Sequence, residues 1–401
     1  MGAVRTGIAR IITASEDAVR RWKGEVRTAM QGWVGRSVAV LALACGLAGT
    51  GCGTFFIYPG SYNASSTSTG SYAYVANGTT ENLAAFAIGT GTLTVISGSP
   101  YGLPFYPTAV AVVPGNAYVY VAGSSEIVGY AIGSGGALTA VSSGAALAYA
   151  NAVSMDISPD GKYLIVLDGV IGLIDVYQIG SAGGLVQLPA VTYAVPINVQ
   201  PVPRAIKFSP NGSLVFAALG TGGDLVYTFS GGSFAGLQTL AVTATQSENG
   251  LAVSPNGGTL YIARSGPGGG LAAYTIGTGG TLTYLGLGSG GTQPYAVAVN
   301  SAGTYVYMAN RGDGTISGFN TTVSSGVLPG VLSSPYASGP SVSALTLDSS
   351  GAYLLAAAAG GAPDLTMYNF DATTAGQLDT DVKVATGASE PSGALAIATT
   401  H

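Results

Sequence analysis

Three stretches decide the fold: MDISPDGKYLIVL (155–167), IKFSPNGSLVFAA (206–218) and LAVSPNGGTLYIA (251–263). Each is a short apolar strand, a Ser-Pro-Asx-Gly turn and a second apolar strand. Pro presets φ at the start of the turn, and Gly supplies the left-handed residue that closes it. Both arms alternate with period two and are rich in β-branched and aromatic residues, as strands are. Looser copies are VAVVPGNAYVYVA (110–122), VAVNSAGTYVYMA (297–309) and LTLDSSGAYLLAA (345–357). A third alternating strand follows each, such as IVGYAIG (127–133), IDVYQIG (174–180) or LAAYTIG (271–277). A Gly turn and a fourth strand complete the unit, as in GALTAVS (136–142) and GTLTYLG (280–286).

The residues that open the first strands are Pro107, Asn151, Pro203, Asn249, Pro294, Ser341 and Pro391, spaced by about 47 on average. Four-stranded repeats of that length are propeller blades. Seven openings predict seven blades if the ends join. The segment SYAYVANGTTENLAAFAIGTGTLTVIS (71–97) holds strands two to four with no first strand, and PSGALAIATT (391–400) is a first strand alone. The expected fold is therefore all-β: a seven-bladed propeller over 72–400, with four-stranded antiparallel blades. Its first blade is closed by the N- and C-terminal strands. Such closure removes the open sheet edge.

Composition agrees. Gly is 63 of 401 residues and charged residues are only 8%, which argues against long helices built on Ala, Glu, Lys and Leu. An apolar fraction of 47% excludes charge-driven disorder.

Charge is divided unevenly. Residues 1–51 carry seven Lys/Arg against three acids, a formal +4; the remainder carries six against fifteen, a formal −9. The apolar run Val38–Gly49 is too short to span a bilayer but suits the core of an export signal. Residues 1–51 are expected to be a leader, with Met30 as an alternative start. Cys52 closes it as a lipidated Cys would, although Leu47-Ala48-Gly49 is separated from it by Thr50-Gly51; Cys45, after Ala42-Leu43-Ala44, is the alternative. Residues 52–71 read as a lipid-anchored flexible linker. The expected address is the cell envelope, facing the periplasm or the cell surface. Membrane contact is expected through the lipid alone.

The SPDGKYLIV and SPNG phrases, with YAYVAN (72–77) and YVYMAN (305–310), resemble the YVTN-repeat, lactonase-like seven-bladed propellers, which include 6-phosphogluconolactonase. The resemblance covers about residues 71–400. It implies a His, Arg and Glu set facing one end of the channel, the first two in a Pro-Arg-His phrase that opens a first strand. Here PRAIKFSPNG (203–212) keeps Pro203 and Arg204 but has Ala205 in place of His, and the Glu position falls near Leu219-Gly220. The single His of the chain is His401, expected on a fraying end.

Lactone hydrolysis needs a base to activate water. Without an internal His, that base would be a carboxylate. Strand-one openings and the loops after strand two share one face of a propeller. That face gathers Arg204, Glu248, Asn249, Arg264, Asn310, Arg311 and Asp313, a candidate polar or anion-binding pocket. Alignment of the first strands puts bulky residues at alternate positions, expected between blades. The small residues between them are expected to face the channel, with Asp156 and Lys207 as an ion pair among them. No metal or cofactor is expected, since the body lacks Cys and has no Walker loop or calcium loop. An acidic body gives no electrostatic reason to bind nucleic acid.

The primary expectation is an exported, lipid-anchored module that binds a ligand or protein without catalysis. The alternative is a lactonase-type hydrolase using Arg204 with a carboxylate base, Glu248. The expected partners are a small anionic or sugar-like ligand or an envelope protein, and the chain is expected to be a monomer.

Overall fold

The Ser-Pro-Asx-Gly turns form as their residues dictate. In blade three, Gly161 N donates to Ser158 O at 2.8 Å, and Ser158 Oγ joins Asp160 Oδ1 (2.6 Å) to Tyr163 N (2.9 Å). Gly161 has φ +70°, and its counterparts Gly212 and Gly257 have +71° and +72°. A Cβ is disfavoured in that left-handed region, so Gly stands there.

The computed structural model describes residues 70–401 except 170–171, 193–200, 242, 244 and 388, and leaves the side chains of 237 and 381 undescribed. The expected leader, Met30, Cys45, Cys52 and nearly all of the linker lie outside the described residues. Among the described residues no helix is long and apolar enough to cross a membrane.

Seven antiparallel sheets make up the ring. Their inner strands are Ala394–Thr399 (blade one), Pro107–Val112 (two), Ala152–Ile157 (three) and Ala205–Phe208 (four). Ser247–Val253, Pro294–Val299 and Val342–Leu347 serve blades five to seven. Each inner strand contacts the next around the circle, and blade seven's returns to blade one's, which touches blade two's. In blade one the C-terminal strand pairs antiparallel with Tyr72–Asn77, Val75 opposite Ile397. The outer strand is broken in three blades. Blade six keeps only Tyr336–Ala337; blade one splits it into Thr92–Val95 and Tyr101–Gly102, and blade two into Leu138–Ala140 and Ala148–Tyr149. Gly, Ser and Pro interrupt the alternation there.

The core is divided among the blade interfaces. Each of seven apolar clusters fills one junction between neighbouring blades. Tyrosines of second strands bridge the junctions: the Tyr74, Tyr120 and Tyr307 hydroxyls donate to Gly136 O, Gly183 O and Gly376 O of the following blade at 2.8–2.9 Å. Burial pushes all three phenols well above their ordinary range. Fully burying such a ring is worth about 1.5–3 kcal/mol.

The channel wall differs from the sequence expectation. Bulky Val110 and Val112 pack toward blade one, but small Ala109 and Ala111 pack toward blade three. Both sets therefore lie between blades, because each sheet stands radially and offers one face to each neighbour. Small residues suit the face that looks onward, where the next inner strand approaches closely. There, polar side chains reach across to the next backbone. Thr108 Oγ1 donates to Ala152 O (2.6 Å), Ser154 Oγ accepts from Ile206 N (3.2 Å) and Ser343 Oγ donates to Ala394 O (2.6 Å). These bonds serve an inner edge that has no ladder partner on the channel side. Asp156 belongs to this pattern: its Oδ2 accepts from Phe208 N at 2.8 Å, and its Oδ1 lies 3.1 Å from Lys207 Nζ.

Candidate functional site

A glutamate reaches the place near Gly220 by an indirect route. Glu248, on the inner strand of blade five, pairs its backbone with Gly220 of blade four: Glu248 N to Gly220 O at 3.1 Å, Gly220 N to Glu248 O at 3.0 Å. The register slips between Glu248 and Gly250, so Asn249 bulges. A bulge re-aims the side chains around it. Glu248 is directly opposite Arg264 on the adjacent strand, Thr259–Ser265. Its Oε1 accepts from Arg264 Nε at 2.7 Å and Nη2 at 2.6 Å. Arg264 Nη2 also donates to the Tyr274 hydroxyl at 2.8 Å, and the Tyr274 ring meets Tyr284 edge-on.

Asp224 joins this set from blade four, where it opens the third strand, Asp224–Ser230. Sequence reasoning missed it, having looked only at strand-one openings and the loops after strand two. The signal available was an acid at the start of an otherwise apolar strand in a charge-poor chain. Glu248 and Asp224 are 0% and 1% exposed. Both Asp224 oxygens and Glu248 Oε2 are buried without a hydrogen-bond partner. Two carboxylates thus share one guanidinium. Burial, then the Glu248 charge, pushes the Asp224 carboxyl well above the usual carboxylate range. Glu248 is raised by burial against the opposing pull of Arg264. The Arg264 guanidinium is raised by Glu248, against its own desolvation. Asp224 has no donor to hold a charge, so it is the more strongly raised of the two acids.

The other expected site residues are not all brought together. Asp224 feels the charges of Glu248 and Arg264, and Glu248 that of Arg264. Arg204 N donates to Ala218 O at 2.9 Å, and its Nε is buried without a partner. Asn249 is a stitch between blades: its Nδ2 donates to Pro294 O (2.8 Å) and Ser265 Oγ (3.0 Å). Asn310 is spent on Gly291 N, Thr315 Oγ1 and Ser317 Oγ. The Arg311 guanidinium lies 4.6 Å over the Tyr295 ring. Asp313 clips the Thr292 backbone and hydroxyl, which hold its carboxyl below the usual range. Asp156 and Lys207 lie next to the Ser-Pro-Asx-Gly turns, away from this face. His401 is not frayed: its N and O exchange bonds with the Asn116 side chain at 2.8 and 3.0 Å.

A second buried polar group, also unforeseen, sits at the ring seam. Asp364 accepts from Ser392 Oγ, Thr386 N and Thr386 Oγ1. Asn77 of blade one meets Thr386 Oγ1 at 2.8 Å and donates to Asn82 Oδ1 at 2.8 Å. The YVAN phrase that holds Asn77 was the available signal. Among the described residues no group of three or more His, Cys, Asp or Glu side chains converges to hold a metal.

The sequence model of the seven-bladed β-propeller lactonase family matches residues 222–389, from blade four into blade seven. This stretch holds Asp224, Glu248, Arg264 and Tyr274. No curated protein matches the chain. Among solved structures, a provisionally assigned 6-phosphogluconolactonase of Bacteroides uniformis is 17% identical, with TM-score 0.67, over 82% of this chain and 99% of that one. The periplasmic gluconolactonase of Pseudomonas aeruginosa is 17% identical, with TM-score 0.65, over the same shares. Hydrazine synthase of Kuenenia stuttgartiensis is also 17% identical, with TM-score 0.55, over 74% and 94%. Such different activities on one architecture mean that these likenesses speak for the fold alone. Together with the seven-blade closure, they lead to one conclusion: the chain is a seven-bladed β-propeller whose sequence is similar to the lactonase family from blade four into blade seven.

Proposed function

We propose that the protein is a lactone hydrolase whose working residues lie at the junction of blades four and five. The observation that carries this reading is the buried Asp224–Glu248–Arg264 set, placed inside the stretch matched by the lactonase family. Glu248 Oε1 is held by Arg264 while Oε2 is unspent, so Oε2 is the atom that takes a proton from the attacking water. The water oxygen then bonds to the lactone carbonyl carbon. The ring C–O bond breaks, and the proton passes to the leaving alkoxide. Arg204, with its unpartnered Nε, supplies the cation for the carbonyl oxygen or for an anionic substituent. Asp224, holding a proton, spares Glu248 a second negative charge.

One observation favours binding without turnover: neither carboxylate reaches the surface. A panel of sugar lactones and simple lactones, run on the full chain, separates the two. Hydrolysis should fall about 10²–10⁴-fold in Glu248→Gln, and Arg204→Ala should raise KM. A panel with no turnover, or turnover indifferent to Glu248→Gln, would sink the hydrolase reading. Saturable lactone binding that persists without turnover would then support a ligand-binding module.

The basic leader, the short apolar run and Cys52, with Cys45 as alternative, support a further proposal: the propeller is exported and tethered to the envelope by lipid. A small anionic or sugar-like ligand and a monomeric state complete the proposal.

A further inference from the structure

On the Ser-Pro-Asx-Gly face the central channel opens into a cavity of about 300 Å³. Its wall comes from the inner strands of blades three to seven, where they meet their turns. Most of that wall is apolar: Leu251, Val253, Val297, Val299, Leu345 and Leu347. On one side stands the pair formed by Asp156 and Lys207. Among the described residues no other cation lines the cavity.

Two observations point to an occupant. The first is the state of Lys207. Its side chain is 47% exposed, and its Nζ spends one bond, on Asp156 Oδ1 at 3.1 Å. An ammonium has three donors, so two remain for the cavity. The second is the bare inner edge. At the level where Asp156 of blade three reaches the Phe208 backbone, blades five and six present Ala252 and Ala298 to this cavity. An alanine has no group to offer the neighbouring backbone.

We propose that this mouth binds a small monocarboxylate with an apolar body. The carboxylate meets the Lys207 ammonium in a charge-assisted hydrogen bond. The body lies against the Leu and Val side chains, which cannot satisfy a polar one. Asp156 sets the limit on affinity: it occupies one Lys207 donor and places a like charge beside the ligand. This site goes beyond the lactone reading, shares no residue with it and lies on the other face of the ring.

Octanoate is the probe and 1-octanol its uncharged counterpart, each titrated calorimetrically into the full chain. Octanoate should bind saturably and at least about tenfold more tightly than octanol, the worth of one charge-assisted bond. Lys207→Met keeps the apolar stem and should lose about tenfold or more. Asp156→Asn can still accept from Phe208 N and should tighten binding several-fold. Equal binding of the two probes, no saturable octanoate binding, or Lys207→Met binding as tightly as the parent would overturn the proposal. If Lys207→Met does not fold, the octanol comparison and Asp156→Asn decide it: failure of Asp156→Asn to tighten binding counts against the site.

Discussion

Replacing Arg264 by Met tests the charge arrangement at the junction of blades four and five. The side chain is 13% exposed, and it holds Glu248, itself fully buried, with Nε and Nη2. Met fills much of the same volume without the charge. The variant leaves Asp224 and Glu248 buried with no cation and strips the Tyr274 hydroxyl of its donor. Breaking a buried pair by removing one partner costs about 3–5 kcal/mol, of which the hydroxyl accounts for about 1 kcal/mol. The cost should depend on pH, and its sign follows from proton uptake. Both acids have folded pKa values raised above their ordinary ones. The folded state therefore binds more protons than the unfolded state above about pH 4, where unfolded acids ionise. Stability falls as pH rises through that window. Arg264 opposes the rise at both acids, so its loss widens the window upward. The deficit of Arg264→Met should be greatest near pH 8 and shrink toward pH 4, leaving mainly the hydroxyl's share. Urea unfolding followed by circular dichroism at the two pH values reads it directly. The triple variant Asp224→Asn, Glu248→Gln, Arg264→Met should regain part of the loss at pH 8. A deficit that is the same at both pH values, or absent at pH 8, would refute the upward shift assigned to these buried acids.

Two further outcomes are expected. Ser392→Ala removes a hydroxyl that bonds Asp364 and Thr386 at the ring seam, and should cost about 1–3 kcal/mol; an unchanged thermal midpoint would show that the seam network is slack. A reporter fused to residues 30–52 should cross the inner membrane and carry lipid on its Cys, with Cys52→Ala abolishing the modification; an unmodified cytoplasmic reporter would end the leader reading.

The ring was legible because its information is local. Each Ser-Pro-Asx-Gly turn declares itself in four residues, and strand period is visible over six. Blade one could be inferred from a missing strand at one end and a surplus strand at the other. The partition of the channel wall was not legible. Ala109 and Val110 alternate whether their faces meet a channel or two neighbours, and only the radial stance of the sheets decides it. The site divides in the same way. Glu248 and Arg264 lie on adjacent strands of one blade and could be grouped by counting from their turns. Asp224 comes from another blade, through packing that no local pattern encodes. Asn310 and Asp313 look like ligand contacts in sequence because they are polar, yet the loops consume them as fasteners.

The way blade one is assembled also fixes the order in which the molecule can be made. Tyr72 N donates to Thr400 Oγ1, 328 positions later, and Tyr72–Asn77 finds its inner neighbour only in Ala394–Thr399. The first described strand is therefore among the last to have its inner edge satisfied. Until residues 394–400 emerge, six blades can stack one on the next while the seventh position holds a three-stranded sheet with a bare edge. Translation, and any passage through a membrane, must be all but finished before the circle can shut.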